Sequence, residues 1–166
     1  ATPRGSGGYT VYRADHWLVA GTGLAYGDLL GTKHGVVGYE TTGRLLDFDD
    51  YQLPITRAHA NAPSGEQTVV VAFTPSSNVG MGEYPASISA LSDQGDLEFI
   101  ASRLHGRIDA DSLARVRHGN SVMMVVEPFG DDGGEVVVIG TTDWVFGLGD
   151  DPDVQQVTAN LLDRYL

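Results

Sequence analysis

Short β-branched and apolar runs, separated by glycine-bearing polar stretches, set the pattern of this chain and predict strands and tight turns more than helices. Residues 9–12 and 17–20 read as short strands, the second followed by Gly21-Thr22-Gly23-Leu24. Val36-Val37-Gly38-Tyr39-Glu40 reads as another strand, closed by the turn Thr41-Thr42-Gly43. Residues 47–65 carry acidic and amide positions beside Pro54 and Pro63 and read as a long surface loop. The β-branched run 68–73 is expected as a strand bounded by Pro75 and Ser76-Ser77-Asn78, with an exposed loop over 78–85. Leu97-Glu98-Phe99-Ile100-Ala101 follows Asp96, a residue able to cap a helix, yet it alternates well enough to be read as a strand.

The end of the chain carries stronger signals. Residues 122–126 and 136–139 are apolar runs joined by Gly130-Asp131-Asp132-Gly133-Gly134, a hairpin pattern. The run Val136-Val137-Val138-Ile139 is apolar on both faces, which predicts a central strand covered on both sides. Asp151 can cap a final helix over 151–165, Pro152 suits its first turn, and Val154, Val157, Leu161, Leu162 and Tyr165 form one stripe. That stripe is expected to pack on the sheet, in the only long helix of the chain.

The length of 166 residues suits a single β-rich α/β domain over 1–166, and the small, polar, glycine-bearing residues 1–8 read as a flexible start, a linker or a cut end. No apolar run approaches the ~20 residues of a membrane-spanning helix, so the chain is expected to be soluble, cytoplasmic or secreted after processing. With no cysteine there is no disulfide scaffold and no thiolate metal site. A net charge of −12 and a pI near 4.5 argue against nucleic acid or an anionic membrane as partner. The single lysine, Lys33, among arginines reads as compositional bias or adaptation to salt.

Candidate chemistry is sparse. Gly21-Thr22-Gly23 has Tyr26 where a phosphate-binding G-x-G-x-x-G needs its third glycine, so it reads as a turn. None of His16, His34, His59, His105 and His118 stands at zinc-ligand spacing. His16, between Asp15 and Trp17, is expected to close a turn or to sit at a strand entrance. His34 lies six residues before Glu40 in one turn–strand unit, which makes the two a candidate ligand or acid–base pair; as a surface residue Glu40 would instead pair with Arg44. No serine-hydrolase elbow is present, and Asp49-Asp50, Asp131-Asp132 and Asp150-Asp151 read as solvated loop pairs. Gly140-Thr141-Thr142-Asp143-Trp144 leaves the 136–139 strand at the end where open α/β sheets collect ligands. Thr142, Asp143 and Trp144 are therefore candidate site residues, with Glu40 opening toward the same cleft.

Asp15-His16-Trp17, Gly21-Thr22-Gly23-Leu24, Gly27-Asp28 and Gly38-Tyr39-Glu40 with Gly43, together with Gly140-Thr141-Thr142-Asp143-Trp144, Gly147-Leu148, Asp151, Val154, Thr158 and Asn160-Leu161-Leu162-Asp163-Arg164, resemble the C-terminal portion of the large (β) subunit of N,N-dimethylformamidase. The resemblance implies a glutamine-amidotransferase-like sheet domain with a C-terminal packing helix, in a hydrolase of linear amide C–N bonds. It implies iron held by two tyrosines and a glutamate, with Glu40 the candidate for that glutamate. The tyrosine motifs of the family, D-E-Y-W and N-x-x-Y-W, are absent here. In this reading Glu40, His34 and Asp143 carry catalysis, Trp144, Thr142 and Tyr39 line the substrate pocket, and a missing segment or second chain completes the enzyme. The alternative is a non-catalytic β-rich module serving in structure, self-assembly or partner binding. A carbohydrate-binding domain using Trp17, Trp144 and loop tyrosines is a third idea.

Overall fold

The computed structural model of the chain describes residues 7–37, 43–57, 65–77, 86–130 and 133–166, with 77 and 86–94 described by backbone alone. Among these, the elements run β1 (Tyr9–Val11), β2 (Leu29–Leu30), β3 (Leu46–Phe48), β4 (Pro54–Thr56), β5 (Gln67–Ser77), α1 (Ala86–His105), α2 (Ala110–Val116), β6 (His118–Glu127), β7 (Val136–Val138) and α3 (Pro152–Tyr165). Five strands form one sheet in the order β2-β1-β5-β6-β7, and every pairing in it is antiparallel. The chain is thus mixed α/β with an antiparallel sheet. The expectation of a ligand-collecting rim at the carboxyl ends of the strands fails here, because antiparallel neighbours run in opposite directions and share no such rim.

β5 and β6 form the long central pair, in register from Gln67↔Glu127 to Ser77↔His118, with a bulge between Val70 and Ala72. The extra residue lets Val71 and Ala72 both join one core, and the Val71 carbonyl accepts from the Tyr12 and Arg13 amides at 2.9 and 3.1 Å. β5 runs past the expected stop at Pro75. Pairing with β1 ends at Phe73, so Pro75 stands where β5 is an edge and its missing N–H is tolerated.

One sheet face carries Val69, Val71, Met123, Val137 and Ile139 and packs with Tyr9, Val11, Leu18, Val154 and Val157. The other carries Val70, Phe73, Val122, Met124, Val126 and Val138, with Leu46 of β3 against it. This division corrects the placement of the valine run. β7 is an edge strand, and Val136 is 50% exposed. Val137 and Val138 enter opposite cores, so an apolar run on both faces reports two covered faces and not two neighbouring strands.

Other expectations also change. Residues 17–20 are not a strand: Trp17–Val19 is a 3-10 turn in which Leu18 and Val19 are both buried, a pattern that an alternating half-buried strand cannot give. Val36 and Val37 are buried without strand pairing, and 38–40 lie outside the described residues. Within 47–65, β3 and β4 form a hairpin with Phe48↔Pro54. Its turn is held by the Asp49 carboxylate, which accepts from the Tyr51 and Leu53 amides, both at 2.9 Å. Residues 97–101 belong to helix α1, which spans 20 residues, so α3 is not the only long helix. Leu97, Ile100 and Ala101 fall at i, i+3 and i+4 on one packed helix face, while Leu104 is 62% exposed. Leu97 and Ala101 pack with Val116 and Leu113 of α2.

α3 begins as its sequence predicts. The Asp151 carboxylate accepts from the Asp153 and Val154 amides at 3.1 and 3.3 Å, and Pro152 follows it. Val154 and Val157 are fully buried, which is worth up to ~1.5–3 kcal/mol each. Leu161 is half-buried, whereas Leu162 and Tyr165 are 49% and 50% exposed, against expectation. The last turn of α3 reaches past the apolar rows of the sheet onto polar positions. Gly8, placed in the loose start by the sequence, is buried so closely on β2 that a Cβ there would lie 2.3 Å from the Leu30 carbonyl oxygen.

Candidate functional site

Most of the described residues among those singled out from the sequence are engaged in contacts that hold the fold. His34 Nε2 contacts the Asp150 carboxylate, which Lys33 Nζ also meets at 3.0 Å. Lys33 and, less strongly, His34 hold the Asp150 carboxyl below its usual range, so the 33–34 turn is tied to the approach to α3. Thr142 is exposed, with its hydroxyl 3.3 Å from Asp143 Oδ1, and the Asp143 amide donates to Thr141 Oγ1 at 3.1 Å. Asp143 opens the 3-10 turn Asp143–Gly147. Trp144 lies against the core with its ring 6.5 Å from that of Tyr9, and its Nε1–H donates to Thr158 Oγ1 at 3.0 Å. Tyr39 and Glu40, and with them the proposed shared cleft of Glu40 and Asp143, lie outside the described residues. Arg44 pairs with Glu66 at 3.4 Å. Gly21-Thr22-Gly23 is a turn, with Thr22 Oγ1 donating to the Val19 carbonyl at 2.8 Å.

The iron implied by resemblance can be tested against the donors present. Among the described residues, no group of three or more His, Cys, Asp or Glu side chains could hold a metal ion, and the His34 Nε2 is taken by Asp150. Glu40, the glutamate that the resemblance offers to iron, lies outside the described residues.

Geometry gathers a different set of residues, where the cover provided by α3 ends. The register aligns Val69 with Val125 and Val125 with Val137, and one row further it aligns Gln67 with Glu127. Glu135 stands one position beyond the last β6–β7 pair, Val126↔Val136, opposite Glu127. Over this polar row sit the Trp17 turn and the last turn of α3. The result is a cleft of about 230 Å³ with Val69 and Val125 as its floor and His16, Trp17, Gln67, Glu127, Glu135 and Arg164 around it. A more open hollow of about 390 Å³, lined also by Tyr165, adjoins it across the two glutamates and Arg164.

Each wall has a physical cause. Asn160 Nδ2 donates to the carbonyls of Leu18 and Ala20 at 3.0 and 2.7 Å, which fixes the Trp17 turn on α3. The guanidinium of Arg164 sits 4.6 Å from the centre of the Trp17 ring and contacts the Glu135 carboxylate. Arg164, then the Tyr165 hydroxyl, hold the mostly buried Glu135 carboxyl below its usual range. His16 Nδ1 accepts from the Leu18 amide at 3.2 Å, as expected of a turn-closing histidine. Burial holds its pKa below the ordinary value, so near neutral pH the imidazole is uncharged and carries its proton on Nε2. The Glu127 side chain is half-buried, and no ion pair or hydrogen bond links its carboxylate to another described residue.

No protein family, curated protein or solved structure matches the chain. The cleft therefore stands on its own chemistry: a neutral N–H donor, an amide, one paired carboxylate and one open carboxylate over an apolar floor. Sequence reasoning missed Gln67, Glu127 and Glu135. The available signal was their position as polar residues ending three apolar runs, and it acquires meaning only once the strand register is known.

Proposed function

We propose that this chain is a non-catalytic β-rich module that serves in structure, assembly or partner binding. The observation that carries this reading is what the residues of the two resembling blocks do: they hold each other. Asn160 ties α3 to Leu18 and Ala20, Arg164 covers Trp17, Trp144 bonds Thr158, and Asp151 caps α3. Packing and capping account for these residues without substrate. In this reading the likeness to the dimethylformamidase large subunit, including its glutamine-amidotransferase-like sheet, reflects a scaffold without its chemistry.

The test is direct. Purified chain incubated with N,N-dimethylformamide, with and without added ferrous or ferric iron, should release no dimethylamine above buffer. Turnover proportional to chain concentration, abolished by Glu40→Gln, would refute the module reading and restore the amide hydrolase.

A further inference from the structure

We propose that the cluster of aromatic rings formed by Tyr12, Tyr26, Phe48 and Phe73 is a docking surface for a proline-bearing, positively charged extended segment of a partner protein. This rests on the module reading, for which it names the chemistry of the partner.

Four separate segments bring these rings together. Tyr12 is the centre: its ring stacks on that of Phe73 with centroids 5.0 Å and planes 13° apart, meets Tyr26 edge-on at 5.4 Å, and lies 5.9 Å from Phe48. Phe48 also lies 6.0 Å from Phe73. Tyr12 and Phe73 are half-buried, whereas Tyr26 and Phe48 are 54% and 48% exposed. Contiguous exposed aromatic rings mark an interaction surface, and tyrosine and phenylalanine are enriched in such surfaces. The exposed rings are also held in place before anything binds. Tyr26 donates its hydroxyl proton to the Gln52 carbonyl at 3.1 Å, and Phe48 leads into the turn that the Asp49 carboxylate fixes. A partner therefore has little of this surface to order.

Topology and charge decide what kind of partner fits. β1 is paired with both β2 and β5, and Phe73 stands opposite both Thr10 and Val122, so a partner meets rings here and not a free strand edge. Polyproline II suits such rings, because it arrives preformed and needs no backbone ladder. Burial, then the neighbouring Tyr26, pushes the Tyr12 phenol above its ordinary pKa, so this central ring brings no charge of its own near neutral pH. The segments that carry the rings also carry Asp28, Asp49 and Asp50, while the hairpin cation Arg57 is bonded to Asp47 at 2.6 Å. A second copy of this chain, at −12, is repelled from that surface, and a segment bearing arginine or lysine is attracted to it.

The test is fluorescence anisotropy of a blocked, fluorescein-labelled peptide of three Arg-Pro-Pro repeats, titrated with the chain. Saturable one-to-one binding is expected, weakening as salt is raised. Arg-Ala-Ala repeats, which keep the charge, and Glu-Pro-Pro repeats, which keep the prolines, should both bind more weakly by about tenfold or more. Phe48→Ser and Tyr26→Ser each remove one exposed ring from a different segment and should weaken binding by a similar factor, with circular dichroism showing the fold retained. If one of the two fails to fold, the other carries the test, and Asp50→Lys at an exposed turn position should also weaken binding. Equal binding of the alanine or the glutamate repeats, or affinity untouched by the ring variants, would overturn the proposal. Concentration-dependent dimers abolished by Phe48→Ser would overturn it too, by making a second copy the occupant. A chain that binds no peptide and releases no dimethylamine defeats this proposal alone, whereas turnover of the amide defeats the module reading beneath it.

Discussion

Replacing Tyr9 by phenylalanine tests the central joint of this fold. The Tyr9 side chain is fully buried, and its hydroxyl donates to the Ile139 carbonyl at 2.5 Å. It also lies 2.5 Å from Ser121 Oγ, which in turn donates to the Gly140 carbonyl at 2.5 Å. These bonds join β1, β6 and the chain leaving β7, so they tie the sheet together from β1 to its β7 edge. Burial pushes the Tyr9 phenol well above its ordinary pKa, which keeps it a proton donor throughout the neutral range. Phenylalanine preserves the ring and its packing while deleting the hydroxyl. The Tyr9 and Ser121 hydroxyls carry one proton each and both donate to carbonyls, so phenylalanine removes one hydrogen bond (~1 kcal/mol) and leaves the buried Ile139 carbonyl without its donor (~1–2 kcal/mol more), a loss of about 2–3 kcal/mol. At ~2 kcal/mol per molar urea, the unfolding midpoint falls by about 1 M or more. Tyr26→Phe is the matched control: its ring is 54% exposed and its hydroxyl bonds the Gln52 carbonyl at 3.1 Å, where water replaces it at little cost. Equal midpoints for the two variants would refute the reasoning, because they would place the Tyr9 hydroxyl in solvent.

Two further outcomes follow from local geometry. Because burial lowers the His16 pKa in the folded chain, the unfolded chain takes up this proton first, and stability falls as pH drops below about 6.5; His16→Asn keeps an acceptor for the Leu18 amide and should flatten the melting temperature between about pH 6.5 and 5, whereas an unchanged slope would mean an exposed imidazole. Gly140 has φ +81° and a Cβ there would sit 2.3 Å from the Val122 carbonyl oxygen, while Gly23 at φ +76° faces open space; alanine at 140 should cost well over the ~1 kcal/mol expected at 23, measured by urea unfolding.

The sequence was most legible where one short segment decides its own structure. Asp151 and Pro152 start α3 because a cap and a fixed φ act within a single turn, and β6 and β7 pair across a short connection in which the Gly133 amide donates to the Gly130 carbonyl at 3.2 Å. It was least legible where the deciding partner is distant. The 97–101 run is part of a 20-residue helix and packs on Leu113 and Val116 of α2, which lie outside the alternating window. The hairpin of β3 and β4 was hidden by Pro54, which a strand accepts at its first position, and by Asp49, whose carboxylate builds the turn rather than facing water.

The cleft shows the same limit at the level of chemistry. Its walls come from five separate stretches, at 16–17, 67–69, 125–127, 135 and 164–165. No spacing in the sequence relates them; the β5–β6 register and the bonds from Asn160 to Leu18 and Ala20 do. Charge makes the arrangement more than incidental. A chain with −12 formal charges has few cations to distribute, and it sets Arg164 at the C-terminal turn of α3, where a cation is already favoured by the helix dipole. There Arg164 neutralises Glu135 and covers Trp17, so one side chain ties the last turn of α3 both to the segment entering β7 and to the Trp17 turn. The wall thus follows from two separate facts, the register that sets Glu135 at this end of the sheet and the helix end that brings a guanidinium over it.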